Sequence, residues 1–351
     1  MEIHLLGPLP PPYGGVSVHI QRLRALLEAA GHQCTVWGPE DRPAQNMRRL
    51  ERPPAGLRQL AGIDRKAIVH FHEYHLHAGW LAQRHPRVLY TVHNERINHT
   101  LGGGRFLRQW LARRVQRYYF RKVRHLITVS ERAKRELVRF GFDAATIDVT
   151  NAYLVPSANE VAHPANVAAF ESFRARYSTI ATANAWALNF FQGADLYGID
   201  MCLELVHALQ DKHPGLGIAL AIPLGRGTAY LEALQRRAAE LGVSERVLWL
   251  LEPGAYHPIL QQCDLFLRPT NTDGFSVSIA EAFEYGVPVI ASDAVTRPAG
   301  CVEFRTRDVD DFVATVDRAL ADLAALAERS RAAREPDHFG EILAVYERLA
   351  C

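Results

Sequence analysis

Short apolar runs alternate along this chain with stretches of helical spacing, and that alternation predicts its architecture. Residues 3–6 read as a buried strand and 7–15 as a rigid, Pro-rich loop. Residues 16–30 read as a helix, with Val16, Ile20, Leu23, Leu26 and Leu27 on one face and Gly31 as its stop. Strands follow at 34–37, 68–71, 88–92, 126–129 and 146–151, while 42–60 is polar and broken by proline, as a surface helix and loop would be. Ser130 is placed to cap a helix that starts there. The 155–166 stretch, with its prolines, alanines and asparagines, reads as a linker. Beyond it, strands near 179–186, 218–222, 247–251, 265–267, 289–291 and 301–304 alternate with helices at 198–210, 228–241, 257–263, 277–285 and 309–326. A last helix is expected at 338–349. This pattern predicts an α/β protein with doubly wound parallel sheets.

The densest chemistry lies in one βαβ unit, 265–292. A strand runs into a turn holding Pro269, Asn271, Asp273 and Gly274, and Ser276 can cap the helix that follows. The first N–H groups of such a helix face the carboxyl edge of the sheet and suit a phosphate. Asp273 and Glu281 flank that anion site. Two carboxylates repel a bare diphosphate, but a sugar nucleotide also brings ribose and hexose hydroxyls, which need acceptors. Near the amino terminus, Gly14-Gly15 opens a helix without a Cβ to hinder approach to its N–H groups, although neither a dinucleotide fingerprint nor a phosphate-loop lysine is present.

Histidines gather at two further strand ends. The 70–77 segment holds His70, His72, His75 and His77 with Glu73, which raises zinc as a reading. No HExxH spacing occurs, and alternation along a strand would split the four between two faces, so sugar-hydroxyl contacts by His72 and Glu73 are the preferred expectation. His93 follows the 88–92 strand and can donate and accept without permanent charge. Residues 105–125 carry Arg105, Arg108, Arg113, Arg114, Arg117, Arg121, Lys122 and Arg124 without one acid, interleaved with Phe106, Trp110, Leu111, Val115 and Tyr118. Cations and aromatics at helical spacing suit an anionic membrane surface. No RNA-recognition motif accompanies them.

Composition narrows the class. A length of 351 residues suggests two domains, and 48% hydrophobic with 22% charged residues is ordinary for a globular protein. A net charge of +2 gives no general pull toward nucleic acid. Five scattered cysteines without metal-ligand spacing point to reduced thiols. No leader-like start and no run of ~20 apolar residues appears, so a cytoplasmic protein, peripheral on the inner membrane face, is the expected location.

The order Asp273-Gly-Phe, Glu281-Ala and Gly-Val-Pro-Val-Ile-Ala-Ser resembles the signature of retaining family-4 glycosyltransferases of the GT-B fold, in a divergent bacterial branch. The resemblance implies two Rossmann-like domains facing a central cleft: 1–160 on the acceptor side, 170–335 binding the nucleotide sugar, and a terminal helix, 336–351, packed back on the first. It implies that Asp273 lies against the donor sugar and that Glu281 holds the ribose, with the backbone of Gly274, Phe275 and Ser276 along sugar and diphosphate. Gly14 and Gly15 would face the diphosphate, His93 a donor hydroxyl, and His72 with Glu73 the acceptor. His93 and Asp273 are thus the expected catalytic residues. The implied activity is transfer from a UDP- or GDP-sugar to a lipid-linked saccharide or polysaccharide acceptor, without metal or other cofactor. A catalytically silent sugar-nucleotide binder and a sugar-nucleotide epimerase of the same fold are the alternatives. One departure stands out: the family's Arg and Lys after the first strand of the second domain are missing from 181–197, where Tyr197 takes the Lys position. Arg226, Arg268 and Arg297 are the substitutes expected for the diphosphate.

Overall fold

The computed structural model describes residues 1–11, 13–39, 47–93, 107–151, 153–157, 159–273 and 276–351, with the backbone alone at 39, 107–110 and 112. The chain divides into two compact units, Met1–Leu154 with Asp337–Cys351, and Val155–Pro336.

The first unit contains β1 (Glu2–Leu6), α1 (Gly15–Ala29), β2 (Gln33–Pro39), β3 (Met47–Leu50), α2 (Ala55–Ala61), β4 (Ile68–Phe71), α3 (His75–Leu81), β5 (Val88–Val92), α4 (Leu107–Phe120), β6 (His125–Thr128), α5 (Glu131–Phe140) and β7 (Ile147–Val149). Its seven strands are all parallel, in the order β3-β2-β1-β4-β5-β6-β7. Residues of β4 and β5 are buried throughout, as a parallel sheet covered on both faces requires. Ser130 caps α5 as expected, accepting from the Ala133 N–H at 3.1 Å.

The second unit contains α6 (Pro164–Arg174), β8 (Thr179–Asn184), β9 (Phe190–Phe191), β10 (Ala194–Asp195), α7 (Ile199–Leu209), β11 (Leu216–Ala221), α8 (Ala229–Glu240), β12 (Val247–Leu250), α9 (His257–Leu260), β13 (Leu265–Arg268), α10 (Val277–Glu284), β14 (Val289–Ser292), β15 (Val302–Phe304), α11 (Val309–Leu320) and α12 (Leu323–Ala332). Six strands form a parallel sheet in the order β12-β11-β8-β13-β14-β15, and β9 with β10 makes a small antiparallel hairpin. The chain then returns to the first unit as α13 (Phe339–Ala350), which buries Ile342, Val345 and Tyr346 among Ile3, Leu5, Ile20 and Leu89. Two parallel α/β sheets are the architecture that the alternating pattern predicts.

Four local expectations need correction. The 42–60 stretch contributes an edge strand, β3, besides a helix. The 155–166 linker runs into α6 at Pro164, whose missing N–H is harmless in a first helical turn. The 309–326 helix is two helices, because the Asp322 carboxylate caps a new one. The histidine-rich segment is not a continuous strand: β4 stops at Phe71 and His75 opens α3.

Candidate functional sites

In each sheet the strand order reverses once, between β1 and β4 in the first and between β8 and β13 in the second. Chains leaving the carboxyl ends of two strands at such a point diverge and leave a crevice, where α/β proteins place ligands. The predicted residues collect at these two places.

In the second unit, Arg268 ends β13 and Asn184 ends β8. The Arg268 guanidinium bridges them by donating from Nη1 to Asn184 Oδ1 at 3.1 Å. Its other edge forks onto Asp273, Nε to Oδ2 at 2.9 Å and Nη2 to Oδ1 at 3.0 Å. Arg297 reaches the same carboxylate from beyond β14, Nη1 to Oδ2 at 3.0 Å. Arg297 also donates from Nε to the Ser292 carbonyl and from Nη2 to Thr270 Oγ1, so all three of its nitrogens are engaged. Burial works against the charge on Asp273, but Arg268 first and then Arg297 outweigh it and hold the carboxyl below its ordinary value. The group is two guanidiniums around one ionised carboxylate, a buried net positive charge. The turn carrying Asp273 is pinned to the β10 hairpin, with Asn271 N–H donating to the Leu196 carbonyl at 2.9 Å and Asn271 Nδ2 to the Asp195 carbonyl at 2.7 Å.

Other predicted residues surround this cluster. Tyr197 lies against Arg268, ring centre 5.3 Å from the guanidinium carbon. Glu281 is buried in the second turn of α10, only 5% exposed. Ser276 sits at the helix start but does not cap it: its backbone carbonyl receives the Ile279 N–H, and its buried hydroxyl has no partner among the described residues. Ser276, Ile279, Ala280 and Phe283 instead line a cavity of about 220 Å³ with Thr296 and Arg297. That helical spacing puts Glu281 on the opposite flank of α10. Gly274 and Phe275 lie outside the described residues. Arg226 is exposed and paired with Glu252.

In the first unit, His72 follows β4 and His93 follows β5, and their rings meet with Nδ1 of His72 2.8 Å from Nε2 of His93. His19, from the second turn of α1, adds a third ring 4.8 Å from that of His93. His70 lies beneath, its ring 4.1 Å from that of His72, held by Thr91 Oγ1 at 2.7 Å and the Tyr346 hydroxyl at 2.6 Å. Burial, then the neighbouring imidazoles, drives His70, His72 and His93 well below the ordinary histidine range, so these three are neutral near pH 7. His70 and His72 share one side of the sheet, while His75 and His77 leave with α3. Ring nitrogens of His19, His72 and His93 lie within 4.8 Å of one another, the one group with a metal-holding composition among the described residues. Glu73 is exposed. Gly14 caps α1, its N–H received by Ser17 Oγ at 3.0 Å, and a Cβ on Gly14 or Gly15 meets nothing closer than 4.0 Å. Among the described residues, packing therefore does not explain the two glycines, and the space beside them is open.

Sequence reading missed His19 and Asn184. The helical spacing carried a hint, since His19 falls three residues after Val16 on the core-facing stripe, where a polar side chain needs a reason.

Residues 13–151 match the profile of Glycosyltransferase Family 4, and 191–322 that of the Glycosyl transferases group 1. A lipopolysaccharide core biosynthesis mannosyltransferase of Rhizobium meliloti is 33% identical over 100 residues, 27% of this chain and 28% of that protein. A GDP-mannose-dependent phosphatidylinositol monomannoside mannosyltransferase of Mycolicibacterium smegmatis is 31% identical over 150 residues, 39% of this chain and 37% of that one. The chain thus spans less than two fifths of the length of these curated relatives. Anabaena HepE, solved with UDP-glucose, superimposes with a TM-score of 0.71 at 14% identity, over 100% of this chain and 98% of its own. The fold is GT-B. The chain belongs to the glycosyltransferases, family 4 in its first half and group 1 in its second.

Proposed function

We propose that the protein is a retaining glycosyltransferase that moves a sugar from a nucleoside-diphosphate donor to a lipid-linked saccharide or growing polysaccharide in cell-surface glycan synthesis. The observation that carries this reading is the buried, net positive Arg268–Asp273–Arg297 cluster at the switch point, one short turn before the helix that holds Glu281. A sugar nucleotide matches both features, its diphosphate answering the excess cation and its ribose hydroxyls the carboxylate. In this reading Glu281 accepts from the ribose, the 274–276 backbone follows the diphosphate, and Tyr197 backs Arg268. His93 and His72, uncharged, take sugar and acceptor hydroxyls with Glu73, beside the open space at Gly14 and Gly15. The sugar's bond to the diphosphate breaks while the acceptor oxygen bonds from the same face, and the departing diphosphate takes the acceptor proton. Arginine meets the leaving charge, so the reaction is proposed to need no metal.

Incubating the protein with labelled UDP- and GDP-sugars and bacterial membranes tests this. Label is expected in a lipid-linked saccharide, and Glu281→Ala is expected to weaken nucleotide binding about tenfold by removing hydrogen bonds to a charged acceptor. Unchanged affinity in that variant would remove Glu281 from the site. Binding without transfer or hydrolysis for every donor favours a silent binder, and an altered nucleotide sugar without acceptor an epimerase.

The acceptor reading extends to α4. Leu111, Val115 and Tyr118 are 57%, 44% and 59% exposed and lie at helical spacing on one flank, with Arg114, Arg117, Arg121, Lys122 and Arg124 exposed around them. Arg105, Phe106 and the side chains of Arg108 and Trp110 lie outside the described residues. No described helix is long and apolar enough to cross a membrane. We propose that this flank lies on anionic lipid, each cation contributing about 1 kcal/mol. The protein is expected to sediment with phosphatidylglycerol vesicles and not with phosphatidylcholine ones, and an Arg114→Glu, Arg117→Glu variant to stay in the supernatant. Equal binding of that variant would refute the assignment.

A further inference from the structure

The Arg268–Asp273–Arg297 cluster is lopsided in a way that stability alone does not explain. One carboxylate suffices to satisfy one buried guanidinium, yet here it is shared by two, and an excess buried cation is costly unless an anion joins it. The two arginines differ in access. All three nitrogens of each are engaged, those of Arg297 by Asp273, Ser292 and Thr270, but its side chain is only 1% exposed, so it is the anchor. Arg268, at 10%, lies at the margin of the cluster, its plane fixed by the two-point fork onto Asp273 and by Asn184. Asp273 meanwhile has both oxygens on guanidinium groups, an arrangement that suits orienting a cation better than receiving a sugar hydroxyl.

We propose that Asp273 is a positioning residue: held by Arg297, it aims the Arg268 guanidinium at the donor's diphosphate, and Arg268 thereby supplies the cation that 181–197 lacks. This rests on the glycosyltransferase reading and deepens it. Asp273 acts through Arg268, and Arg268 touches the ligand. An arginine suits the task because its planar guanidinium carries five N–H groups, so those on Asp273 and Asn184 can fix the plane while the remainder meets phosphate.

The sign of one measurement separates this from its rivals. Titration calorimetry of UDP or GDP, the matching monophosphate and the sugar nucleotide is run on wild type, Asp273→Asn, Arg268→Gln and Arg268→Lys. Asp273→Asn and Arg268→Gln are each expected to lose about tenfold in diphosphate affinity and under twofold for the monophosphate, the range of a charge-assisted hydrogen bond. Arg268→Lys, which keeps the charge without the fork, is expected to lose nearly as much. If Asp273 served only as a charge, its removal would raise diphosphate affinity, and that result overturns the proposal. If it held the sugar, Asp273→Asn would spare the diphosphate and weaken only the sugar nucleotide, which also overturns it. Full affinity in Arg268→Lys overturns it as well and keeps the test decisive should Asp273→Asn not fold. A wild type that binds no nucleotide at all defeats the underlying reading instead, so the two failures are distinct.

Discussion

Lowering the pH from 7.5 to 5.5 is expected to remove about 3 kcal/mol of stability from the first unit through His70 and His72 alone. Both are buried, and burial is the main reason that both hold their protons so weakly when folded. In the unfolded chain the same imidazoles titrate near 6.5, so between these pH values the unfolded state takes up most of two protons that the folded state refuses. A depressed folded pKa gives stability that is present above the unfolded value and fades as pH falls, at up to about 1.4 kcal/mol per unit for each group. Asp273 adds nothing in this window, because its carboxyl, already held low, titrates only at more acid pH. Urea unfolding curves at the two pH values measure the difference. Because His93 and other buried histidines of this unit are depressed in the same direction, a His70→Gln, His72→Gln variant is expected to lessen the dependence by about that amount, and an unchanged dependence would show that other groups cause it.

Gly198→Ala is expected to cost about 3 kcal/mol or more, for two separable reasons. Gly198 has φ of +67°, and a Cβ there would stand 2.2 Å from the Pro269 carbonyl oxygen, next to Arg268. Gly242 supplies the control, with φ of +69° and nothing within 4 Å of an added Cβ. Gly242→Ala therefore carries only the left-handed backbone penalty of about 1 kcal/mol. The collision at Gly198 must push the turn from Pro269 to Asp273, so nucleotide affinity should fall with the melting temperature in that variant and hold in the control. Equal melting of the two would deny the close approach.

The parts of this fold that were legible in the sequence are those where burial repeats. β4 and β5 are apolar runs interrupted only by His70 and Thr91, and the turn and helix from Arg268 to Tyr285 carry a strand end, a turn and a periodic helix in order. β3 was illegible because an edge strand reading Met-Arg-Arg-Leu buries only Leu50 and is held by backbone pairing to β2. α3 was hidden because its histidines are poor helix formers, and contacts with α2 and α4 hold it in place. α6 did carry a signal, since Asn166, Phe170 and Phe173 are spaced for one buried face behind Pro164. At the site, Asp273, Glu281 and His93 were named from strand ends and helix starts. Arg268, Arg297 and His72 were named too, but not as partners of these residues, because pairing Asp273 with Arg297 depends on how loops after β13 and β14 fold against each other, which no local spacing encodes.

One feature of the topology bears on how the molecule is made. The last helix, α13, seals the earliest strands, its Tyr346 hydroxyl bonded to His70. A ribosome releases β1, β4 and β5 long before it reaches Phe339, so the nascent amino-terminal half waits with an apolar seam uncovered. The second unit is complete by Pro336 and is free to mature first. Completion of the first unit thus has to wait for the end of the chain, and the uncovered seam is a place for a chaperone to hold the unfinished protein.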